Sequence, residues 1–285
     1  MKTKLNYTLM LLSLIFTITV ALVSCKKEGI LNAFSTPVEL GNATPLEGDE
    51  LGVYTAFFDG RIQNGNVKIK LTQNGDNYTG GINAWYYEDT TAPQISDGGN
   101  FFINDIPLKF NGNIYEPEGV AAQDLSDFVK NDLLGKDVVF KHQKDGLQTF
   151  EESIYLPKDI HISNLESSKI PNTNYYKVDR NNFVISCNED VNNDNGILVL
   201  ISYTGEFLDM TFDDLQDQEP IQIFRATHIY DDASTIQVPA ELFEDIPNGA
   251  IVTLWVTRGN VKVIDDGDTN FLLRGLTEQK IRVVL

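Results

Sequence analysis

The chain has 285 residues, of which 22 are basic and 41 acidic, and its formal net charge is −19 at pH 7. Such a charge repels phosphate backbones, so the composition disfavours nucleic-acid binding. Because 42% of the residues are apolar and 10% are aromatic, the composition also excludes a wholly disordered chain.

Residues 1–24 have the pattern of a secretion signal. Two lysines precede an apolar and hydroxyl-bearing run over residues 9–23, which is too short to span a membrane as a helix. The run closes on Leu-Val-Ser-Cys at residues 22–25. This closing sequence resembles the lipobox of bacterial lipoprotein precursors. The resemblance implies that Cys25 becomes the acylated first residue of the mature chain.

The residues after the cysteine indicate where the chain is displayed. Lys-Lys-Glu at residues 26–28 resembles the charged tag of surface lipoproteins in Bacteroidota-type bacteria, with a solvated linker as the alternative. The resemblance implies lipid anchoring in the outer membrane, facing the outside of the cell. Residues 25–50 contain Pro and Gly without a sustained helical or alternating pattern, so they predict a flexible tether.

Residues 51–157 predict an N-terminal β domain. Val67, Ile69 and Leu71 alternate with polar residues, and Asn74-Gly75 then predicts a hairpin into a strand over residues 78–85. Turn-forming residues separate further predicted strands, at 101–103, 107–110, 138–142 and 152–156. A short helix is predicted within residues 121–134, where apolar residues recur on one helical face.

Trp85, Tyr86 and Tyr87 are the best candidates for a ligand surface. Flat aromatic faces stack on sugar rings, and they also anchor protein interfaces. Three consecutive aromatic residues of one strand cannot all point inward, because successive side chains alternate between the two faces. Trp255 is a similar candidate in the C-terminal half. Packing at a sheet edge or between domains is the alternative for all four residues.

Residues 158–285 predict a β-sandwich. Seven strand candidates follow at short intervals, at 183–187, 197–203, 221–228, 235–238, 251–257, 261–264 and 280–285. The run from Phe183 to Asp190, followed by Gly196 and an apolar strand, resembles the early strand pair of immunoglobulin-like or fibronectin-type modules. The expected fold class is therefore mainly β, with two β-sandwich-like domains, the C-terminal one immunoglobulin-like, after a signal peptide and tether.

Two oxygen-rich loops are candidates for Ca²⁺ binding. Side-chain oxygens that alternate on a tight loop can converge on a hard cation, and two series fit: Asp190, Asn192 and Asp194, and then Asp266, Asp268 and Asn270. The first series resembles the opening of an EF-hand loop, but its glycine comes one place late and the twelfth position is Ile201. Ordinary turns between strands are the alternative for both loops.

The sequence contains no recognisable catalytic motif. Its three histidines, His142, His161 and His228, are far apart in sequence and lack a metal-binding spacing. Cys187 ends a strand-like run and is interpreted as a buried, inert thiol rather than a nucleophile. Acidic pairs such as Asp231-Asp232 are interpreted as solvated surface, because chance pairs are expected among 41 acids. We therefore expect no enzyme activity.

Two classes of function fit these predictions. The first is a surface lipoprotein that binds a glycan or a protein ligand through loops and aromatic faces. The second is a structural or assembly lipoprotein of a secretion or motility complex in the cell envelope, whose β domains pack permanently against protein partners. Both place the chain at a membrane through its N-terminal lipid.

Overall fold

The computed structural model describes residues 65–88, 94–193, 195–208, 223–229, 232–265 and 269–285. All of these residues belong to one compact unit, Glu39–Leu285. The predicted signal, Cys25 and the tether lie outside the described residues, as do Asp194, Asp266 and Asp268. None of the helices in the described ranges has the length and apolar content that crossing a bilayer requires.

The first half of the described chain forms eight strands. They are β1 (Gly65–Asn74), β2 (Asn77–Tyr87), β3 (Ile95–Ser96), β4 (Asn100–Ile103), β5 (Ile106–Phe110), β6 (Tyr115–Pro117), β7 (Lys136–Lys144) and β8 (Leu147–Leu156). The predicted hairpin is confirmed, since β1 and β2 are antiparallel and Gly75 takes a φ of 60° in the turn. The predicted helix forms three short consecutive segments: a 3-10 turn Ala122–Asp124, α1 (Leu125–Phe128) and a π-helical turn Val129–Leu133.

The second half of the described chain forms seven strands and two short 3-10 turns. The strands are β9 (Tyr175–Lys177), β10 (Val184–Ser186), β11 (Ile197–Tyr203), β12 (Ile223–Ile229), β13 (Thr235–Gln237), β14 (Ile251–Asp265) and β15 (Asn270–Val284). The 3-10 turns are Glu166–Ser168 and Ala240–Phe243. The two candidates predicted at 251–257 and 261–264 form one strand, β14, and the last candidate begins ten residues earlier than expected.

One large mixed sheet contains thirteen of the strands in the described residues. Its main order is β12-β11-β14-β15-β1-β2-β6-β5-β4-β7-β8, with β3 paired to β2 and β9 paired to β15. The central pair is parallel: β1 aligns with β15 from Gly65 opposite Phe271 to Asn74 opposite Lys280. β10 and β13 form a separate two-stranded sheet.

The core of the first half lies on one side of this sheet, here called the inner face. Val67, Ile69 and Leu71 of β1 are buried there. The sheet curls so that β8 crosses the inner face of β15, where Leu156 lies against Gly275 and the carbonyl of Lys158 accepts a hydrogen bond from Thr277 Oγ1 at 2.9 Å. Burial of these apolar side chains is the main stabilising contribution to this half.

In the second half, the small sheet is joined to the inner face of β14 by a buried ion pair. The guanidinium of Arg258, which is fully buried, donates from Nε to Asp232 Oδ2 at 2.5 Å and from Nη2 to the carbonyl of Asn188. Asp232 precedes β13 and Asn188 follows β10. Two facing sheets are the layout of a β-sandwich, so the mainly β, sandwich-like fold class is confirmed.

The predicted boundary at residue 157 does not appear as a break in the sheet. β1 from the first half and β15 from the second pair over ten positions. The N-terminal half therefore completes its sheet with a strand from the C-terminal half. No local pattern in the chain indicates this arrangement, because the two strands of a parallel pair can be far apart in sequence.

Candidate ligand-binding face

The three aromatic residues of β2 divide between the two faces of the sheet, as alternation predicts. Tyr86 is 4% exposed and lies in the core, where its ring stacks on the imidazole of His142 at a centroid distance of 6.4 Å. Trp85 and Tyr87 are partly buried and point to the opposite side. We call that side the outer face, and it is the side that carries Lys68, Trp85 and Arg274.

Three adjacent strands bring distant polar residues together on the outer face. Lys68 on β1 is the Cα partner of Arg274 on β15 and of Asn83 on β2. The guanidinium carbon of Arg274 lies 5.6 Å from the ring centroid of Trp85, which is within the range of a cation–π contact. We call the set of Lys68, Lys70, Arg274, Asn83 and Trp85 the basic patch.

The surroundings of Lys68 oppose its positive charge. Burial, followed by the neighbouring charges of Lys70 and Arg274, lowers the pKa of Lys68 to about 8, against a smaller opposite effect of Glu278. Lys70 itself is paired, since its Nζ lies 3.1 Å from Glu278 Oε2. Thr72 Oγ1 donates to the other oxygen of Glu278 at 3.2 Å. Glu278 therefore holds both Lys70 and Thr72 at this part of the sheet.

Arg274 lies at the bottom of the basic patch. It is 3% exposed, whereas Lys68, Asn83 and Trp85 are partly buried. Burial lowers the pKa of its guanidinium, which still leaves this group charged at neutral pH because arginine titrates far above 7.

Trp255 shares the outer face with Trp85 but does not share its site. Its ring is partly buried against Leu198, Leu200 and Ala226, and the ammonium of Lys280 lies 5.6 Å from its centroid. Trp255 is the Cα partner of Lys280 on β15. Trp85 is the Cα partner of Asn66 on β1, and Asn66 lies opposite Leu272 of β15. At about 3.3 Å per residue, the two indoles are about 26 Å apart along the strands. The predicted aromatic candidates therefore belong to separate surfaces.

Asp190 of the first predicted calcium loop has a structural role. Its side chain is fully buried, and its carboxylate accepts hydrogen bonds from the Tyr155 hydroxyl at 2.9 Å and from the backbone nitrogen of Lys158 at 2.7 Å. Burial and the bond to Asp190 raise the pKa of Tyr155 to about 12. These hydrogen bonds hold the loop against the end of β8. They agree with the alternative interpretation of Asp190 as part of an ordinary turn between strands. Asn192 is exposed beside it.

The remaining calcium candidates stay a prediction. Asp194, Asp266 and Asp268 lie outside the described residues, and Asn270 is the exposed first residue of β15. Across the described ranges, no three His, Cys, Asp or Glu side chains converge as metal ligands would.

Cys187 is buried, as expected, and burial raises the pKa of its thiol. A raised pKa leaves little thiolate at neutral pH, so the structure gives this residue no sign of activation. Its Sγ lies 3.7 Å from the carbonyl of Ala233.

One acidic residue differs from expectation. The sequence predicts a solvated surface position for Asp232, but its side chain is 3% exposed and paired with Arg258. The error has a physical reason, because the sequence cannot show that Arg258 of β14 reaches across the sandwich to this position. Its neighbour Asp231 lies outside the described residues.

Sequence reasoning found Trp85 but missed the basic patch around it. The missing information was the parallel pairing of β1 with β15, which places Arg274 beside Lys68. A signal was present in the alternation of Lys68 and Lys70 with apolar residues, because it fixes both lysines on one face. No protein-family model matches the chain, and neither the curated proteins nor the solved structures give a match.

Proposed function

We propose that this chain is a lipid-anchored, non-catalytic protein of the bacterial outer membrane that binds a glycan at the cell surface. The observation that supports glycan binding is the position of Trp85, a partly buried indole that points away from the core with the Asn83 side chain on the same face. An aromatic face with amide donors and acceptors beside it suits a sugar ring and its hydroxyls.

Glycan binding is tested with a polysaccharide panel and two variants. Trp85→Ala should lower the affinity at least tenfold for any glycan that the wild type binds, because it removes the stacking surface. Trp255→Ala is the matched control, since it removes an indole from the same face about 26 Å away. Equal loss in both variants, or no glycan bound by the wild type, would contradict the proposal.

Lipid anchoring depends on Cys25, which the lipobox resemblance marks as the acylated residue. Cys25→Ala should abolish incorporation of a labelled fatty acid and release the protein from the membrane fraction. Cys187→Ala should leave both properties unchanged, because Cys187 is buried in the folded domain. Retention of Cys25→Ala in the membrane would show that another segment anchors the chain.

A second candidate, an assembly role with protein partners, is favoured by a different observation. Three large apolar residues are exposed at the same end of the large sheet: Ile95 at 39%, Leu147 at 72% and Val263 at 58%. Ile95 pairs with Tyr87, Val263 pairs with Leu272, and Leu147 begins β8 beside the β7–β8 turn. A contiguous group of exposed apolar side chains is typical of a protein contact surface, and these three residues are the candidates for one. Crosslinking from these positions in intact cells would identify such a partner.

A further inference from the structure

A cavity of about 430 Å³ lies where the loop after β10 meets the beginning of β7 and the end of β8. Its volume is within the range of cavities that hold small ligands in proteins. Four strands separate β8 from β2 in the large sheet, so the cavity is a different place from Trp85. Six residues line it: Gly135, Lys136, Asp137, Tyr155, Val191 and Asn192.

Hydrogen bonds hold the walls of this cavity in place. The fully buried Asp190 carboxylate accepts hydrogen bonds from the Tyr155 hydroxyl at 2.9 Å and from the backbone nitrogen of Asn192 at 3.3 Å. On the opposite side, Gly135 takes a φ of 70° and its nitrogen donates to the carbonyl of Leu156 at 2.8 Å. The cavity is therefore preformed, and a ligand need not order its walls on binding.

The lining places hydrogen-bonding groups beside an aromatic ring. Asp137 and Asn192 are exposed, and within the described ranges the Asp137 carboxylate takes part in no hydrogen bond or ion pair. Burial and the bond to Asp190 raise the pKa of Tyr155, whereas a hydrogen bond from the Asn192 side chain lowers it, so this amide lies next to the phenol. The Tyr155 hydroxyl is occupied by these bonds, which leaves its partly buried ring as the contact surface.

The charges of the lining favour a neutral ligand. Lys136 and Asp137 carry opposite charges, and the Lys136 ammonium already donates to the carbonyls of Asn131 and Asp132 at 2.9 and 3.1 Å. A metal ion is disfavoured, because no set of three acidic, His or Cys side chains converges within the described residues. An apolar ligand would remove Asp137 and Asn192 from water without replacing their hydrogen bonds.

We infer that this cavity binds one ring of a neutral sugar, whose hydroxyl groups bond to Asp137 and Asn192 while its C–H face packs on the ring of Tyr155. Val191, which is 75% exposed at the rim, adds an apolar contact for the sugar. Carboxylates and amides accept hydrogen bonds from hydroxyls, and an aromatic face suits the C–H side of a sugar ring. The site goes beyond the proposed function, which is argued from Trp85.

The test uses the full-length protein in a detergent without a sugar headgroup. The probes are glucose, galactose, mannose and N-acetylglucosamine, and their binding is measured by saturation-transfer NMR and by titration. We expect at least one of them to bind, with the strongest saturation on its ring C–H protons. Asp137→Ala and Asn192→Ala should each lower the affinity about fivefold, as expected for loss of one hydrogen bond.

Asp76→Ala and Asn113→Ala are the matched controls. They remove an exposed carboxylate from the β1–β2 turn and an exposed amide from the β5–β6 loop, both outside the cavity. Each should change the affinity by less than about twofold, because charges at a distance are screened by salt. Circular dichroism and thermal unfolding of all four variants establish that each is folded.

Trp85→Ala separates this inference from the proposed function. It should leave binding of the single sugar unchanged, even where it abolishes binding of a polysaccharide. Loss of single-sugar binding in Trp85→Ala, with Asp137→Ala and Asn192→Ala unaffected, would overturn the inference and support the site at Trp85. The opposite pattern, with no effect of Trp85→Ala on any glycan, would support the cavity and contradict the proposed role of Trp85.

Three other results would also overturn the inference. A diamine such as putrescine that binds more tightly than any of the sugars, and no longer binds to Asp137→Ala, would assign the cavity to a cationic ligand. Equal weakening by the cavity variants and their matched controls would place the sugar elsewhere. No binding of any single sugar, while the wild type still binds a polysaccharide through Trp85, would leave the proposed function intact and the cavity without a sugar.

Discussion

Lys68 is held in a position that weakens the fold at neutral pH. Its pKa is about 8 in the folded chain and 10.5 in a solvated one. Between these values the unfolded chain binds more protons than the folded chain, so the free energy of unfolding rises with pH across the window from 8 to 10.5. Below pH 8 both states are protonated, and the full unfavourable contribution is present.

We predict that Lys68→Met stabilises the protein at pH 7 by about 1 kcal/mol, a value reduced for solvent screening of a partly exposed group. The gain should shrink toward pH 10.5, because wild-type Lys68 loses its proton there. Urea unfolding at pH 7 and pH 10 measures both differences. A gain that stays constant with pH would show that it comes from packing of the methionine.

Lys70→Met is the contrasting case on the same strand. Lys70 pairs with Glu278, whose side chain is only 6% exposed. Removal of the lysine leaves a buried carboxylate with less compensation, so this variant should be less stable than the wild type at pH 7. Opposite signs for two lysines two residues apart would support the charge arrangement of the basic patch.

At the scale of elements, β15 shows what pattern reading could and could not predict. The sequence predicts a strand for its last residues, 280–285. The preceding stretch contains Gly275 and Glu278, residue types that are depleted in strands, and the polar Gln279, although Glu278 and Gln279 are both buried. They form a strand because β15 is hydrogen-bonded along both edges and covered by β8. These tertiary contacts outweigh the low intrinsic strand propensity of the residues.

The crossing of β8 over β15 requires glycine at position 275. A Cβ there would lie 1.8 Å from Leu156 Cδ2, and Leu156 is fully buried. We predict that Gly275→Ala lowers the free energy of unfolding by about 1–3 kcal/mol, as overpacked cores do. Equilibrium denaturation of the variant measures this change.

Gly81→Ala on β2 provides the control, because a Cβ at that position meets open space apart from Asn83. It should be neutral or slightly stabilising, since alanine loses less backbone entropy than glycine on folding. Equal stability of Gly275→Ala and Gly81→Ala would contradict the close contact between Leu156 and the backbone of Gly275.

At the scale of the whole molecule, the shared sheet joins the two halves into one structure. β1 depends on β15 for one of its edges, and the contact between Arg258 and Asp232 fixes the small sheet to β14. The sequence predicted most of these strands and a sandwich-like architecture. It could not predict their joining, because hydrogen bonds between parallel strands leave no local pattern in the chain.

We therefore predict that the chain after Cys25 unfolds in a single cooperative transition. Scanning calorimetry should give a calorimetric enthalpy equal to the van't Hoff enthalpy, as for a two-state unit. A fragment of residues 158–285 should be far less stable than the same residues in the whole chain, because the edge of β15 that pairs with β1 would be exposed. Two separated transitions would restore an independent boundary near residue 157.

The parallel pairing of β1 with β15 also sets the order of events when the protein is made. Lys70 and Glu278, which meet across this pair, are 208 positions apart in the chain. β1 cannot complete its pairing until β15 has been synthesised, and contacts between residues this far apart in sequence form slowly. During synthesis the early hairpin emerges with an unpaired edge until the last residues arrive. Such a chain depends on being kept from premature association until β15 is made.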